Sequence, residues 1–422
     1  MYAEALLEFI KKSPCAALAM REVEARLVAA GAKRIREEEA GSLGEGLYYA
    51  VRGGVSLIAM RVPKDPKRAV IAAAHTDSPA LRVKDGGCRV GSYVSIPVEK
   101  YGGAILYSWF DRPLSVAGRV MLRTAAGVEE RYIDASRPIC YIPNPGLQVP
   151  TNAQSGATFN MTKDMLPLLS VRGSSESLLE TLGKICAFDQ KEVIGHDLFV
   201  YCCGEGRCVG KEEEIILCPR LDDLACAFAA TEAFLCAKPL DTLSVLALFD
   251  HEEIGSATER GADSTFLSSL LAPFLARGGT PFFESSLLVS ADNAHAVHPN
   301  FPEISDSRET PVLEGGVALK WSASHSYATD ARSGAILRRI MERAGVPLQV
   351  YQNRADIRGG STLGSIAGTH LGISTVDIGI PQLAMHSAVE SLARKDLEAA
   401  VNAIRASLEA QIVKTDEGYI IG

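Results

Sequence analysis

The chain has 422 residues, 47% hydrophobic and 22% charged, a balance that excludes a disordered chain and supplies enough apolar material for a large core spread over two domains. Its formal net charge of -8 is dispersed along the sequence, which excludes the basic face that nucleic-acid binding requires. No apolar stretch is long enough to span a bilayer, and the first ten residues lack the basic start of a secretion signal, so a cytoplasmic protein with no membrane partner is expected.

In chain order, Ser13-Pro14 offers an N-cap with proline in the first turn of a helix that runs through Met20, Val23 and Leu27 to a stop at Gly31. Leu47–Val51 and Val55–Met60 read as a hairpin around Gly53-Gly54, and Ala69–Ala74 as a fully buried strand. From about residue 88 to 213 the texture changes to short β-type runs, such as Leu114–Val120, separated by glycine and proline turns. A βα rhythm then resumes: a helix through Leu224, Phe228 and Leu235, strands at Leu243–Phe249 and Leu287–Ser290, and a helix through Ile336 and Met341 that ends at Gly345. A last helix is expected to start at Asp396 and bury Leu397, Val401, Ile404 and Leu408. The expected fold is therefore α/β, with a mixed, mostly parallel central sheet flanked by helices. Segments 1–87 and 214–422 share that sheet, and 88–213 is an inserted β-rich domain.

The 10 cysteines show no Cys-x-x-Cys pairing, and Cys226 and Cys236 fall in an apolar helical pattern, so reduced thiols and no cysteine-bound zinc are expected. Metal-competent residues gather instead at the ends of buried-type strands. The strand through Ala74 leads into His75-Thr76-Asp77, that through Phe249 into Glu252-Glu253, and that through Ser290 into Asp292. The run Ile373–Ile378 precedes a loop bearing His386, while Asp222-Asp223 opens a helix. The rim beyond the carboxyl ends of such strands is where α/β proteins place ligands. Any one of these residues alone would read as a helix cap, a solvated carboxylate or a surface histidine; their common position is what argues for a site.

Oxygen and imidazole donors without thiolate suit two divalent ions per chain, zinc first, with manganese or cobalt as alternatives. Asp222 is the candidate bridge between the two ions. Asp77 stands two residues beyond His75, where it would accept that histidine's second ring N–H as an orienting partner. Glu253 committed to metal leaves its neighbour Glu252 to move the proton in an amide hydrolysis. His295 and His298 are set aside, because five residues already fill two sites.

At these residues the sequence resembles the aspartyl aminopeptidase family of dinuclear zinc exopeptidases. The motifs His75-Thr76-Asp77-Ser78-Pro79, Arg220-Leu221-Asp222, Asp250-His251-Glu252-Glu253-Ile254-Gly255-Ser256 and Gln382-Leu383-Ala384-Met385-His386-Ser387 match in order, as does Trp109-Phe110-Asp111-Arg112-Pro113-Leu114 within the insert. The resemblance implies one metal on His75 and Asp292, another on Glu253 and His386, Asp222 bridging, and Glu252 as general acid/base. It further implies an inserted domain used for assembly, a tetrahedral homododecamer enclosing its active sites, and peptide substrates with N-terminal Asp or Glu. Lys320 matches the position expected to meet the acidic side chain, and Asp356 that of a carboxylate able to receive the substrate's amine. The sequence departs from the family in one place, with Gln148 where many members carry a histidine that reaches a neighbouring active site; glutamine can donate to an oxyanion but cannot be cationic. The departure leaves two alternatives, an aminopeptidase for neutral residues or a low-activity shell-forming binding protein.

Overall fold

Apolar runs without breaks become interior strands because only a strand covered on both faces can bury every residue. In the computed structural model, which describes residues 2–85, 87–145, 159–171, 177–357 and 359–422, nine strands form one sheet. They are β1 (Lys33–Arg34), β2 (Gly46–Arg52), β3 (Ser56–Val62), β4 (Arg68–His75), β5 (Thr242–Phe249), β6 (Leu287–Ala291), β7 (Val317–Trp321), β8 (Leu348–Gln352) and β9 (Ser374–Gly379). Their spatial order is β1-β2-β3-β5-β4-β6-β9-β7-β8. The pairs β2–β3, β3–β5 and β9–β7 are antiparallel and the other adjacent pairs parallel. The sheet is mixed and mostly parallel, and it draws strands from both early and late parts of the chain.

Eight helices are described: α1 (Tyr2–Lys12), α2 (Ala16–Ala29), α3 (Leu178–Cys186), α4 (Leu221–Cys236), α5 (Phe266–Glu284), α6 (Ala331–Ala344), α7 (Leu363–Leu371) and α8 (Arg394–Glu409). None is long and apolar enough to cross a membrane. The central strands split their side chains by parity. Val70, Ala72 and Ala74 of β4 enter a core with α1, α2, α4, α6 and α8, while Ala69, Ile71 and Ala73 enter another with α5 and α7. Helix α4 is buried nearly all round, which fixes the position of its first turn beside the tip of β4.

A five-stranded antiparallel sheet forms from the middle of the chain, in the order Gly127–Asp134, Leu114–Thr124, Val193–Cys202, Ala80–Val83, Val98–Tyr101. It has its own apolar core around Trp109, Leu114, Val116 and Leu198. A second five-stranded sheet of short strands joins Arg207–Val209, Ile215–Cys218, Glu390–Ala393, Pro381–Leu383 and Ala294–His295.

Two helix starts differ from expectation. Ser13 does not cap α2: its backbone N–H bonds Ile10 at the end of the separate helix α1, and Cys15, extended and without a side-chain bond, occupies the N-cap. Asp396 lies inside the first turn of α8, whose N-cap is Ala393. Its carboxylate accepts instead from the backbone N–H groups of Glu314 (2.7 Å) and Gly316 (2.8 Å), a tertiary use that local sequence does not reveal.

Candidate metal centre

Strand register brings the first half of the site together. Phe249 of β5 lies opposite His75 of β4, and the Thr76 N–H bonds the Phe249 carbonyl at 2.9 Å, so Asp250–Glu253 emerges beside His75–Asp77. His251 is left-handed (φ 66°), which turns the chain sharply into a 3-10 turn, Glu252–Ile254. Asp77 holds that turn: its carboxylate accepts from the N–H of Glu252 (3.2 Å) and of Glu253 (3.1 Å) and from the hydroxyl of Tyr101 (2.7 Å). His75 Nδ1 lies 3.0 Å from the Asp77 carbonyl oxygen and 3.3 Å from its carboxylate, leaving Nε2 to face inward.

Two clusters of donor atoms result, each with its atoms within 4.8 Å of one another: His75, Asp222, Asp223 and Asp292 in one, and Asp222, Glu253 and His386 in the other. Asp222 belongs to both. One of its oxygens is 3.6 Å from His75 Nε2 and the other 3.4 Å from His386 Nε2. Glu252 belongs to neither, and its Oε2 stands 3.9 Å from His75 Nε2. Neither cluster includes His295 or His298.

The charge balance fits divalent ions. Asp77, Asp222, Asp223, Asp292 and Glu390 are all buried, facing few cations among the described residues. Carboxylate oxygens of Asp222 and Asp223 are buried with no hydrogen-bond partner, each costly unless a cation faces it. Burial, followed by like charge, pushes Asp223 and Glu253 well above the usual carboxylate range. For Asp222 burial is outweighed by His386 and His75, which hold it well below that range. Glu252 is pushed up to about 7, first by burial and then by Asp292, Asp77 and Asp222 acting against His75. The donor set of imidazole and carboxylate is that of a zinc-type site.

The remaining expected residues lie as follows. Lys320 is buried on β7, its Nζ 3.3 Å from Asp292 and 5.3 Å from the centre of the Tyr327 ring. Asp356 is exposed, outside both clusters, and gripped by two Arg354 nitrogens at 2.6 and 2.7 Å. Gln148 lies outside the described residues.

Sequence reasoning missed several supporting groups. Asp223, readable as a helix cap, accepts from the His75 backbone N–H at 3.3 Å. Glu390 clamps two donor-bearing residues at once, accepting from the N–H of Asp222 (3.0 Å) and of His386 (2.6 Å). A charged residue at an inward position of a short strand was the available signal for Glu390. Tyr101 carried none, since its role exists only once the middle sheet docks on the rim.

A family model described as "Aminopeptidase I zinc metalloprotease (M18)" matches residues 9–407. A protein named "Probable M18 family aminopeptidase 2" from Clostridium acetobutylicum is 39% identical over 404 residues, 92% of this chain and 93% of its own. One of the same name from Ectopseudomonas mendocina is 36% identical over 420 residues, covering 96% of this chain and 97% of its own. Among solved structures, one described as the Ape4 and Nbr1 complex superposes with TM-score 0.91 at 32% identity, covering 96% of this chain and 85% of that one. Another, the S. cerevesiae mApe1 dodecamer, gives TM-score 0.83 at 25% identity over 96% and 95% of the two chains.

Proposed function

The chain belongs to the M18 family of aminopeptidase I zinc metalloproteases and is a metallo-aminopeptidase, and from that premise we propose a two-metal hydrolysis of N-terminal peptide bonds with Glu252 as general acid/base. The observation that carries the proposal is the pair of donor clusters sharing Asp222, with Glu252 beside them but in neither. His75, Asp222 and Asp292 would hold one ion, and Asp222, Glu253 and His386 the other. Bound there, two divalent ions supply Lewis acidity toward a carbonyl and a water. Glu252 Oε2 takes the proton of the attacking water and delivers it to the leaving amine nitrogen. Asp77 keeps the Glu252–Glu253 turn and the His75 ring aligned through the bonds described above.

The test is the Glu252→Ala variant. It should retain the wild-type metal content, measured by elemental analysis, and lose turnover by about 10²-fold or more; undiminished turnover would sink the assigned role. In the wild type a chelator should abolish hydrolysis, and zinc, manganese or cobalt should restore it.

The proposed substrates are peptides with N-terminal Asp or Glu, recognised by Lys320. A second reading, neutral N-terminal residues, is favoured by the burial of Lys320 against Asp292, which already engages its charge. Across a panel of aminoacyl chromogenic substrates the first reading expects kcat/KM highest for Asp and Glu, with Lys320→Met removing that preference; a flat or leucine-weighted profile selects the second. Assembly into a dodecamer, with the middle β sheet in the contacts, is proposed from the likeness to the mApe1 dodecamer.

A further inference from the structure

Two short antiparallel strands form a fork beneath the donor cluster of Asp222, Glu253 and His386. Cys218, the last residue of Ile215–Cys218, pairs with Glu390, the first of Glu390–Ala393. The chain leaving Cys218 reaches Asp222 within four residues, and the chain arriving at Glu390 has left His386 four residues before. The two donor-bearing residues therefore stand beyond the same end of one strand pair, one on each prong. Glu390 sits at the base of the fork and is 1% exposed, so water cannot readily stand in for its carboxylate.

Neither prong is regular backbone. Arg220 (φ 58°), Ala384 (φ 58°) and His386 (φ 68°) are left-handed without being glycine, a conformation that costs free energy and persists only where surrounding contacts hold it. On the His386 prong, the His386 N–H donates to one Glu390 oxygen at 2.6 Å, its carbonyl accepts from the Ile105 N–H at 3.0 Å, and the Ala388 N–H donates to Ser108 Oγ at 2.9 Å. On the other prong, the Asp222 N–H donates to the second Glu390 oxygen at 3.0 Å, and its carbonyl accepts from Ser78 Oγ at 2.8 Å. Of these contacts, those of Glu390 join the two prongs.

We propose that Glu390 is a positioning residue for the ion that Asp222, Glu253 and His386 would share: one carboxylate fixes two main-chain N–H groups and so sets the separation of two of the donors. Facing atoms of Asp222 and His386 stand 3.4 Å apart, and those of His386 and Glu253 3.5 Å. Both are close to the edge of roughly 3.4 Å between ligands of a tetrahedral zinc with bonds of about 2.1 Å. The other ion depends on the clamp less, because its remaining donors are anchored elsewhere, the His75 N–H on Asp223 at 3.3 Å and the Asp292 N–H on the Ile378 carbonyl at 3.0 Å. The role rests on the two-metal reading above and deepens it.

The test is a calorimetric zinc titration of the metal-stripped full chain. Glu390→Gln keeps the shape but offers one oxygen and one amide nitrogen, so one of the two N–H groups loses its acceptor. Glu390→Asp keeps the charge but draws the oxygens back by a methylene. The wild type should take up two ions per chain, and each variant should bind one of them about tenfold or more weaker. In the His386→Ala background, where that cluster is already broken, Glu390→Gln should leave the remaining step nearly unchanged. Urea midpoints distinguish positioning from mere support, since the extra stability that zinc adds should shrink in both variants. Zinc-induced gains equal to the wild type's would make Glu390 structural only, and wild-type affinity in Glu390→Asp would make its charge, not its reach, the cause; either result overturns the role. An equal loss with and without the His386 side chain would overturn the action on both prongs. A wild type that takes up a single ion would remove the two-metal reading and this role with it, whereas two ions in the wild type and unchanged steps in both variants would overturn the role alone.

Discussion

Gly103 shows how narrowly the donor residues are placed. A methyl group there would meet Nδ1 of His386 at 2.5 Å and Cε1 at 2.8 Å, inside van der Waals contact. The ring can escape a new side chain only by swinging, which carries Nε2 away from Asp222 and Glu253. Gly103→Ala should therefore weaken the second metal more than the first. In a zinc titration one of the two binding steps is expected to shift by about tenfold or more, the scale seen when an outer partner of a metal-binding histidine is lost; two unchanged steps would show that the loop yields instead. Beside it, Gly102 (φ 67°) approaches Glu253 nearly as closely, since a methyl group on its Cα would lie 2.8 Å from Oε2, so one dipeptide of the middle sheet's rim packs on both non-bridging members of that cluster.

Among the elements, α8 offers a pH test remote from the metals. The carboxyl of Asp396 is pushed up to about 6, by burial first, with the Gly316 and Glu314 N–H groups opposing. The folded state then holds this proton more tightly than the unfolded chain, so between about pH 4 and 6 the residue's contribution to stability falls as pH rises. Asp396→Asn removes that slope and keeps an acceptor for one of the two N–H groups, at a cost of about 1 kcal/mol. Urea midpoints measured across that window should decline less steeply in the variant; parallel curves for both proteins would refute the assignment. The element also marks the limit of pattern reading. Its buried face, Leu397, Val401, Ile404 and Leu408, was legible from helical spacing, whereas the aspartate that resembled an N-cap serves a loop about 80 positions away in sequence.

At the scale of the whole molecule, exposed apolar residues occur along the chain, and among them Tyr93, Tyr107, Val128 and Ile194 belong to the middle stretch, where the proposed assembly contacts lie. Light scattering should find particles near twelve chain masses, and charged substitutions at Val128 and Ile194 should yield smaller ones if those residues are in the contacts. A monomeric wild type at micromolar concentration would remove the proposal.

Local pattern determined what repeats along the chain. Uninterrupted apolar runs specified the interior strands β4, β5 and β6, helical spacing specified α4, α6 and α8, and the residues just past the strand tips were recognisable because an open α/β sheet gathers its strand ends on one rim. Only the tertiary structure decided how those tips are held. That Asp77 binds the glutamate turn, that Glu390 spans Asp222 and His386, that Asp223 faces His75, and that Gly103 and Tyr101 arrive from another sheet are all contacts between distant segments. Side-chain periodicity reports which face of an element is apolar and is blind to which polar atom meets which, so these arrangements became visible only when the sheets packed together.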